Sequence, residues 1–165
     1  MSKQDGQTVL AIYPNRHGIS YAVFDTPENL VDYGISFVQP ISNKKMMEKI
    51  REYLDFFKPD IVLARNVNDL KKRAGKRTKK LIDRICAEAK SKGLEVHSYT
   101  RSDIQNVFSQ FSASTKYQIS KKLIEWYPVL KAYEFPKRGK WMSENHNTGV
   151  FDAVSLVMVY WYLQN

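Results

Sequence analysis

The chain has 165 residues, 43% of them hydrophobic, and 26 Lys and Arg against 17 Asp and Glu give it a formal charge of +9. That composition excludes wholesale disorder, and the length suits one α/β domain, 1–165, able to bury roughly two-thirds of the surface its unfolded chain exposes. The one cysteine, Cys86, excludes an internal disulfide and a cysteine-built metal site. No run of eighteen apolar residues is present to cross a membrane, and the polar start MSKQDGQTV is no secretory signal, so the chain reads as cytoplasmic.

Thr8 to Tyr13 is an apolar burst with β-branched residues, expected to form a central strand, and Pro14-Asn15-Arg16-His17-Gly18 supplies turn chemistry after it. Ile19 to Phe24 and Leu30 to Val38 are two further strands, the first of them alternating less cleanly than a one-sided strand should. Short turns between the three predict an antiparallel meander. From Ser42 the period changes. Met46, Met47, Ile50, Tyr53, Leu54 and Phe57 recur at three and four, the signature of an amphipathic helix that Lys58-Pro59-Asp60 stops.

Ile61 to Ala64 is wholly apolar, the pattern of a strand covered on both faces. A helix from about Arg77 to Ser91 turns Leu81, Ile82, Ile85 and Ala89 inward, with Cys86 among them as a buried thiol, and Gly93 lies beyond its end. Leu94 to Tyr99 predicts another strand, then Ser102 to Phe108 and Thr115 to Trp126 two helices, and Pro136 to Thr148 a polar loop. Val150 to Leu163 is helical by length and apolar nearly all round. It is either packed wholly inside the chain or packed on one side and paired with a second copy, a homodimer, on the other. The order predicts a mixed five-stranded sheet with helices on both faces.

Charge is concentrated in one stretch. Lys71, Lys72, Arg73, Lys76, Arg77, Lys79 and Lys80 make seven of ten consecutive residues basic. Such a run is either a solvated face or a contact for the phosphates of a nucleic acid, and without interleaved aromatics it suits backbone contact better than base stacking.

Several segments resemble the ribonuclease-H-like fold, and within it the RuvC-like Holliday-junction resolvases. Leu10 to Val23 looks like the family's opening, with Pro14, Gly18 and Tyr21-Ala22-Val23 in place, but Tyr13 stands where a catalytic Asp is expected. Lys58 to Arg65 looks like the fourth strand, with Arg65 in place of a catalytic Glu. Gly149 to Leu156 looks like the start of the C-terminal helix, where two carboxylates three residues apart are expected; Gly149 replaces the first, and Asp152 with Ala153 matches the second. The resemblance implies an α/β, ribonuclease-H-like fold and cleavage by two hard divalent ions, Mg²⁺ or Mn²⁺, held by clustered carboxylates. Three of its four acidic positions are not acidic here.

Tyr13 is a weak oxygen ligand and Arg65 offers no acceptor, so this set is a poor anchor for two ions. Arg65 is expected either to hold a phosphate by its fork of donors or to pair with Asp152 as a plug under Tyr13. Asp152 is alternatively a first-turn residue favoured by the helix N-terminus. Three functions are compatible with these residues. The first is a catalytically inactive RuvC-like domain that binds DNA or structured nucleic acid through Arg16, Arg65 and the basic run. The second is a metal-dependent endonuclease with a site rebuilt from Asp152 and Glu144, joined by Asp25 or Asp69. The third is a non-enzymatic protein-interaction module using the apolar last helix. The loop Trp141 to Asn147, which carries Glu144 and His146, is expected to be pinned by Trp141.

Overall fold

In a computed structural model the described residues are 7–16, 18–70 and 75–164, with the side chain of Asp69 excepted. Strands β1 (Val9–Pro14), β2 (Gly18–Thr26) and β3 (Asn29–Phe37) form the expected meander, antiparallel throughout. Helix α1 (Asn43–Phe57) leads to β4 (Ile61–Arg65), α2 (Lys76–Ser91) to β5 (Glu95–Tyr99), and β4 and β5 add in parallel. The sheet order is β3-β2-β1-β4-β5. Helices α3 (Arg101–Phe108), α4 (Lys116–Trp126) and α5 (Thr148–Gln164) complete the chain, with short 3₁₀ turns at Val67–Asp69, Ser109–Phe111 and Pro128–Tyr133.

Strand alternation divides the core into two layers. On β1, Val9, Ala11 and Tyr13 face the layer that holds α3, α4 and α5, while Leu10 and Ile12 face α1 and α2. On β4, Ile61 and Leu63 share the first layer and Val62 the second. Successive side chains of a strand point to opposite faces, so Tyr13 and Arg65 both emerge toward α5 at the carboxyl ends of neighbouring strands. β2 lies between β1 and β3 and is covered on both faces, which explains its weak alternation, as does an irregular register with β3 near Phe24. At Gly18 an added Cβ would meet the carbonyl oxygen of Ser36 at 1.9 Å, so the strand pair can close there only on glycine.

Side-chain caps set the starts of α1, α3 and α4 one residue from where periodicity alone places them. Thr100 and Asp103 form a reciprocal capping box for α3, and Thr115 and Gln118 do the same for α4. Lys58, in the left-handed region at φ 47°, closes α1 by donating its backbone N–H to Leu54. Cys86 lies beside the inward face of α2, half-buried rather than fully buried, and burial raises its thiol pKa, which disfavours the reactive thiolate.

α5 is buried from Thr148 through Val157, and again at Val159 and Tyr160, against the sheet and against α3 and α4. Its buried hydroxyl at Ser155 donates to the Phe151 carbonyl at 2.7 Å, so no polar group is stranded there. Each large aliphatic side chain it buries contributes about 1.5–3 kcal/mol. Most of the apolar circumference is thus covered within the chain, and the helix offers a second copy only its last residues, where Tyr162 and Leu163 are exposed. No described helix is long and apolar enough to cross a membrane.

Candidate functional site

The four positions singled out by the resemblance converge. Tyr13 from β1, Arg65 from β4, and Gly149 and Asp152 from α5 line one cavity of about 560 Å³ at the carboxyl ends of the central strands, together with Lys116 and Glu144. Arg16, Leu70, Gly75 and Thr78 border the same space, so the described ends of the basic segment open onto it.

Asp152 is 4% exposed. Its carboxylate accepts from Arg101 at 3.2 Å and lies 3.5 Å from the Lys116 ammonium, which also reaches Glu144 at 2.8 Å. The plug expected of Arg65 therefore exists, but Arg101 and Lys116 make it. Arg65 instead donates to the Pro14 carbonyl at 3.2 Å and lays its guanidinium 4.6 Å from the Tyr13 ring centroid. Its Nε is buried with no hydrogen-bond partner among the described residues. α5 begins at Thr148, so Asp152 sits a turn inside the helix and not in its first turn, and side-chain cations, not helix N–H groups, neutralise it. Burial pushes its carboxyl above the ordinary carboxylate range, against the opposing pull of Lys116 and Arg101.

Gly149 leaves no room for the missing carboxylate. A Cβ there would meet Ser20 Oγ at 2.1 Å, and Ser20, fully buried on β2, fills the space with a hydroxyl that has no hydrogen-bond partner among the described residues.

The donor set does not fit a pair of divalent ions. Among the described residues no group of three or more His, Cys, Asp or Glu side chains is placed to hold a metal. Asp152, the remaining carboxylate, is occupied by two cations. At an effective dielectric near 20, unit charges about 4 Å apart interact by about 4 kcal/mol, and an ion of double charge at Asp152 would meet about twice that repulsion from each of Arg101 and Lys116. Asp25 cannot complete a rebuilt site: it accepts from Asn29 at 3.1 Å at the opposite end of β2 from Gly18. The Asp69 side chain and His17 lie outside the described residues.

Glu144 does join Asp152 in the cavity, with Lys116 between them. Trp141, expected to pin the loop, is 87% exposed, and His146 turns its ring toward Phe37 at 5.8 Å.

Of the basic residues, Lys71, Lys72 and Arg73 lie outside the described residues. Lys76, Lys79 and Lys80 are exposed on the first turns of α2, and Arg16 is exposed in the turn after β1. Arg77 is half-buried and exchanges hydrogen bonds with Asn43 at the start of α1, donating at 3.1 Å and accepting through its carbonyl at 3.0 Å. The first turn of α2 contains no acidic residue. A helix N-terminus is already the positive end of its dipole, so cations there oppose helix stability and reinforce an anion-attracting field.

Arg101 and Lys116 were not singled out from the sequence. Each is the first helical residue after a capping threonine, a position where the dipole disfavours a cation. Lys76 holds the same position in α2 with no ion-pair partner among the described residues, so the position alone does not point to a buried carboxylate.

The sequence matches no family model and no curated protein. Solved structures are similar in shape. RuvC of Thermus thermophilus in complex with a Holliday junction substrate superposes with a TM-score of 0.66 at 14% identity, covering 96% of this chain and 94% of that one. A second Thermus thermophilus RuvC structure gives 0.65 at 13%, covering 96% and 97%. The yeast mitochondrial Holliday junction resolvase Ydc2 gives 0.66 at 10%, covering 94% and 78%. With its mixed sheet, two helical layers and coverage of almost the whole chain, the fold is that of the RuvC-like, ribonuclease-H-like resolvases, and among the described residues it carries no acidic cluster placed to hold a metal.

Proposed function

We propose that the protein is a catalytically inactive RuvC-like domain that binds nucleic acid through phosphate contacts. The observation that carries this reading is the neutralised Asp152: the carboxylate position that survives is held by Arg101 and Lys116, beside an Arg65 that has replaced an acidic residue. A cavity that would repel divalent cations is suited to phosphate oxygens, to which a guanidinium presents two parallel donors. Gly75 and Thr78 bring the start of α2 to the cavity, and Lys76, Lys79 and Lys80 are exposed on the same first turns, where the helix dipole also favours an anion. Arg16, Lys71, Lys72, Arg73 and Arg77 extend the proposed contact.

Replacing Lys71, Lys72, Arg73, Lys76 and Arg77 together with Ala is expected to weaken binding to duplex and branched DNA sharply. The slope of log affinity on log salt should flatten by about 0.9 for each phosphate the variant no longer neutralises. A circular-dichroism melt should verify that the variant folds, since Arg77 also ties α2 to α1. Unchanged affinity and slope in a folded variant contradict the proposal.

The second reading, an endonuclease rebuilt on Asp152 and Glu144, has one observation in its favour: the two carboxylates share a cavity. It requires Mg²⁺- or Mn²⁺-dependent cleavage that Asp152→Asn and Glu144→Gln each abolish. The expected outcome is no cleavage of junction, duplex or RNA–DNA hybrid by the unmodified protein.

A further inference from the structure

We infer that the loop before α5 is a second nucleic-acid contact, one that takes an unpaired strand by stacking a base on Trp141 while Lys137, Arg138 and Lys140 hold its phosphates. The inference rests on the nucleic-acid reading above and adds to it a strand type and a recognition mode.

The basic segment around α2 has no aromatic residues, whereas Phe135-Pro136-Lys137-Arg138-Gly139-Lys140-Trp141 ends three cations on an exposed ring. Trp141 is the most exposed large hydrophobic side chain among the described residues. A turn holds it outward: Met142 donates its backbone N–H to the Gly139 carbonyl at 3.1 Å, and Gly139 donates to the Met142 sulfur at 3.4 Å. Lys137, Arg138 and Lys140 are exposed, and none has an ion-pair partner among the described residues.

Lys137, Arg138 and Trp141 line a cavity of about 870 Å³ together with Tyr117 and Phe135, and Lys140 lies beside them in the chain. The cavity shares Lys116 and the stretch 143–146 with the Asp152 cavity, so the two adjoin. The acidic group on this path, Glu144, is paired with Lys116 at 2.8 Å, and nearby Glu134 is paired with Lys121 and Lys131. The path is therefore open to a polyanion. An aromatic platform flanked by cations suits single strands of any sequence, because every base has a face to stack and duplex bases have theirs covered.

The test is fluorescence anisotropy of the full chain with labelled oligothymidylate, the matching abasic oligonucleotide and a duplex of equal length. Trp141→Ala is expected to lower oligothymidylate affinity on the order of tenfold, Trp141→Phe to keep most of it, and both to bind duplex as the unmodified protein does. The abasic strand should bind the unmodified protein about as weakly as oligothymidylate binds Trp141→Ala. Replacing Lys137, Arg138 and Lys140 with Ala should flatten the salt dependence for oligothymidylate. If Trp141→Ala binds oligothymidylate undiminished, or the abasic strand binds equally well, stacking is overturned while duplex binding still stands. If no nucleic acid binds the unmodified protein, both readings fall together.

Discussion

The two ends of positive charge that meet at the central cavity are built on opposite terms. Around Asp152, Arg101 and Lys116 are each the first residue of a helix, and both are compensated by a carboxylate that is almost fully buried. At the start of α2, Lys76, Lys79 and Lys80 crowd a helix N-terminus with no acid in the first turn and no ion-pair partner among the described residues. With Glu144, which also pairs with Lys116, the first arrangement sets two carboxylates against two cations, and it ties α3 and α4 to α5. The second costs the isolated protein stability and leaves a field that an external polyanion would relieve. The lesson is that cation count alone does not identify a binding surface; what distinguishes it is whether the fold supplies the counter-charge.

The same operation, deleting a cation, should therefore have opposite signs in the two places. Arg101→Met is expected to destabilise by about 3 kcal/mol, because a buried carboxylate loses a partner, and adding Asp152→Asn should recover most of that loss. Chemical denaturation of both variants and the double variant measures the coupling; additive effects would separate Arg101 from Asp152. At α2, Lys76, Lys79 and Lys80 changed together to Glu should leave stability unchanged or raise it by about 0.3–1 kcal/mol per residue at low salt, while nucleic-acid binding falls. A large loss of stability there would show that the α2 cations are structural too.

The smallest effect is in pH dependence. The folded-state pKa of Asp152 is raised above its unfolded value by burial. Between those two values the folded state holds more protons than the unfolded one, so stability falls as pH rises through that window and levels off above it. Asp152→Asn should remove this part of the profile and change stability near neutral pH by no more than about 1 kcal/mol. Steepening of the profile in the Asn variant would reverse the assigned direction.

Much of this was readable before the structure, because it depends on local pattern. The apolar burst at β1 and the unbroken apolar β4 mark buried central strands, while the common face of Tyr13 and Arg65 depends on the register between the two strands. That Tyr13, Arg65, Gly149 and Asp152 belong together was implied by the resemblance alone, and the structure places them in one cavity. What no local pattern contains is where α3 and α4 come to rest. Arg101 and Asp152 are 51 residues apart, and their pairing depends on how two capped helices pack on the α5 layer. Arg65 was mispaired for that reason: a nearer ring and the Pro14 carbonyl claimed it. Trp141 misled in the other direction, since a large ring in a loop is most often an anchor, and here the Gly139–Met142 turn holds it out.

The central claim is that Asp152 serves as a counter-ion within the fold and does not ligate metal. Crystals soaked in Mn²⁺ and measured at the manganese absorption edge test it most directly. The account predicts no anomalous peak among Tyr13, Arg65, Glu144 and Asp152, with Arg101 and Lys116 still on the carboxylate. Two well-occupied manganese positions there, with either cation displaced, would contradict it.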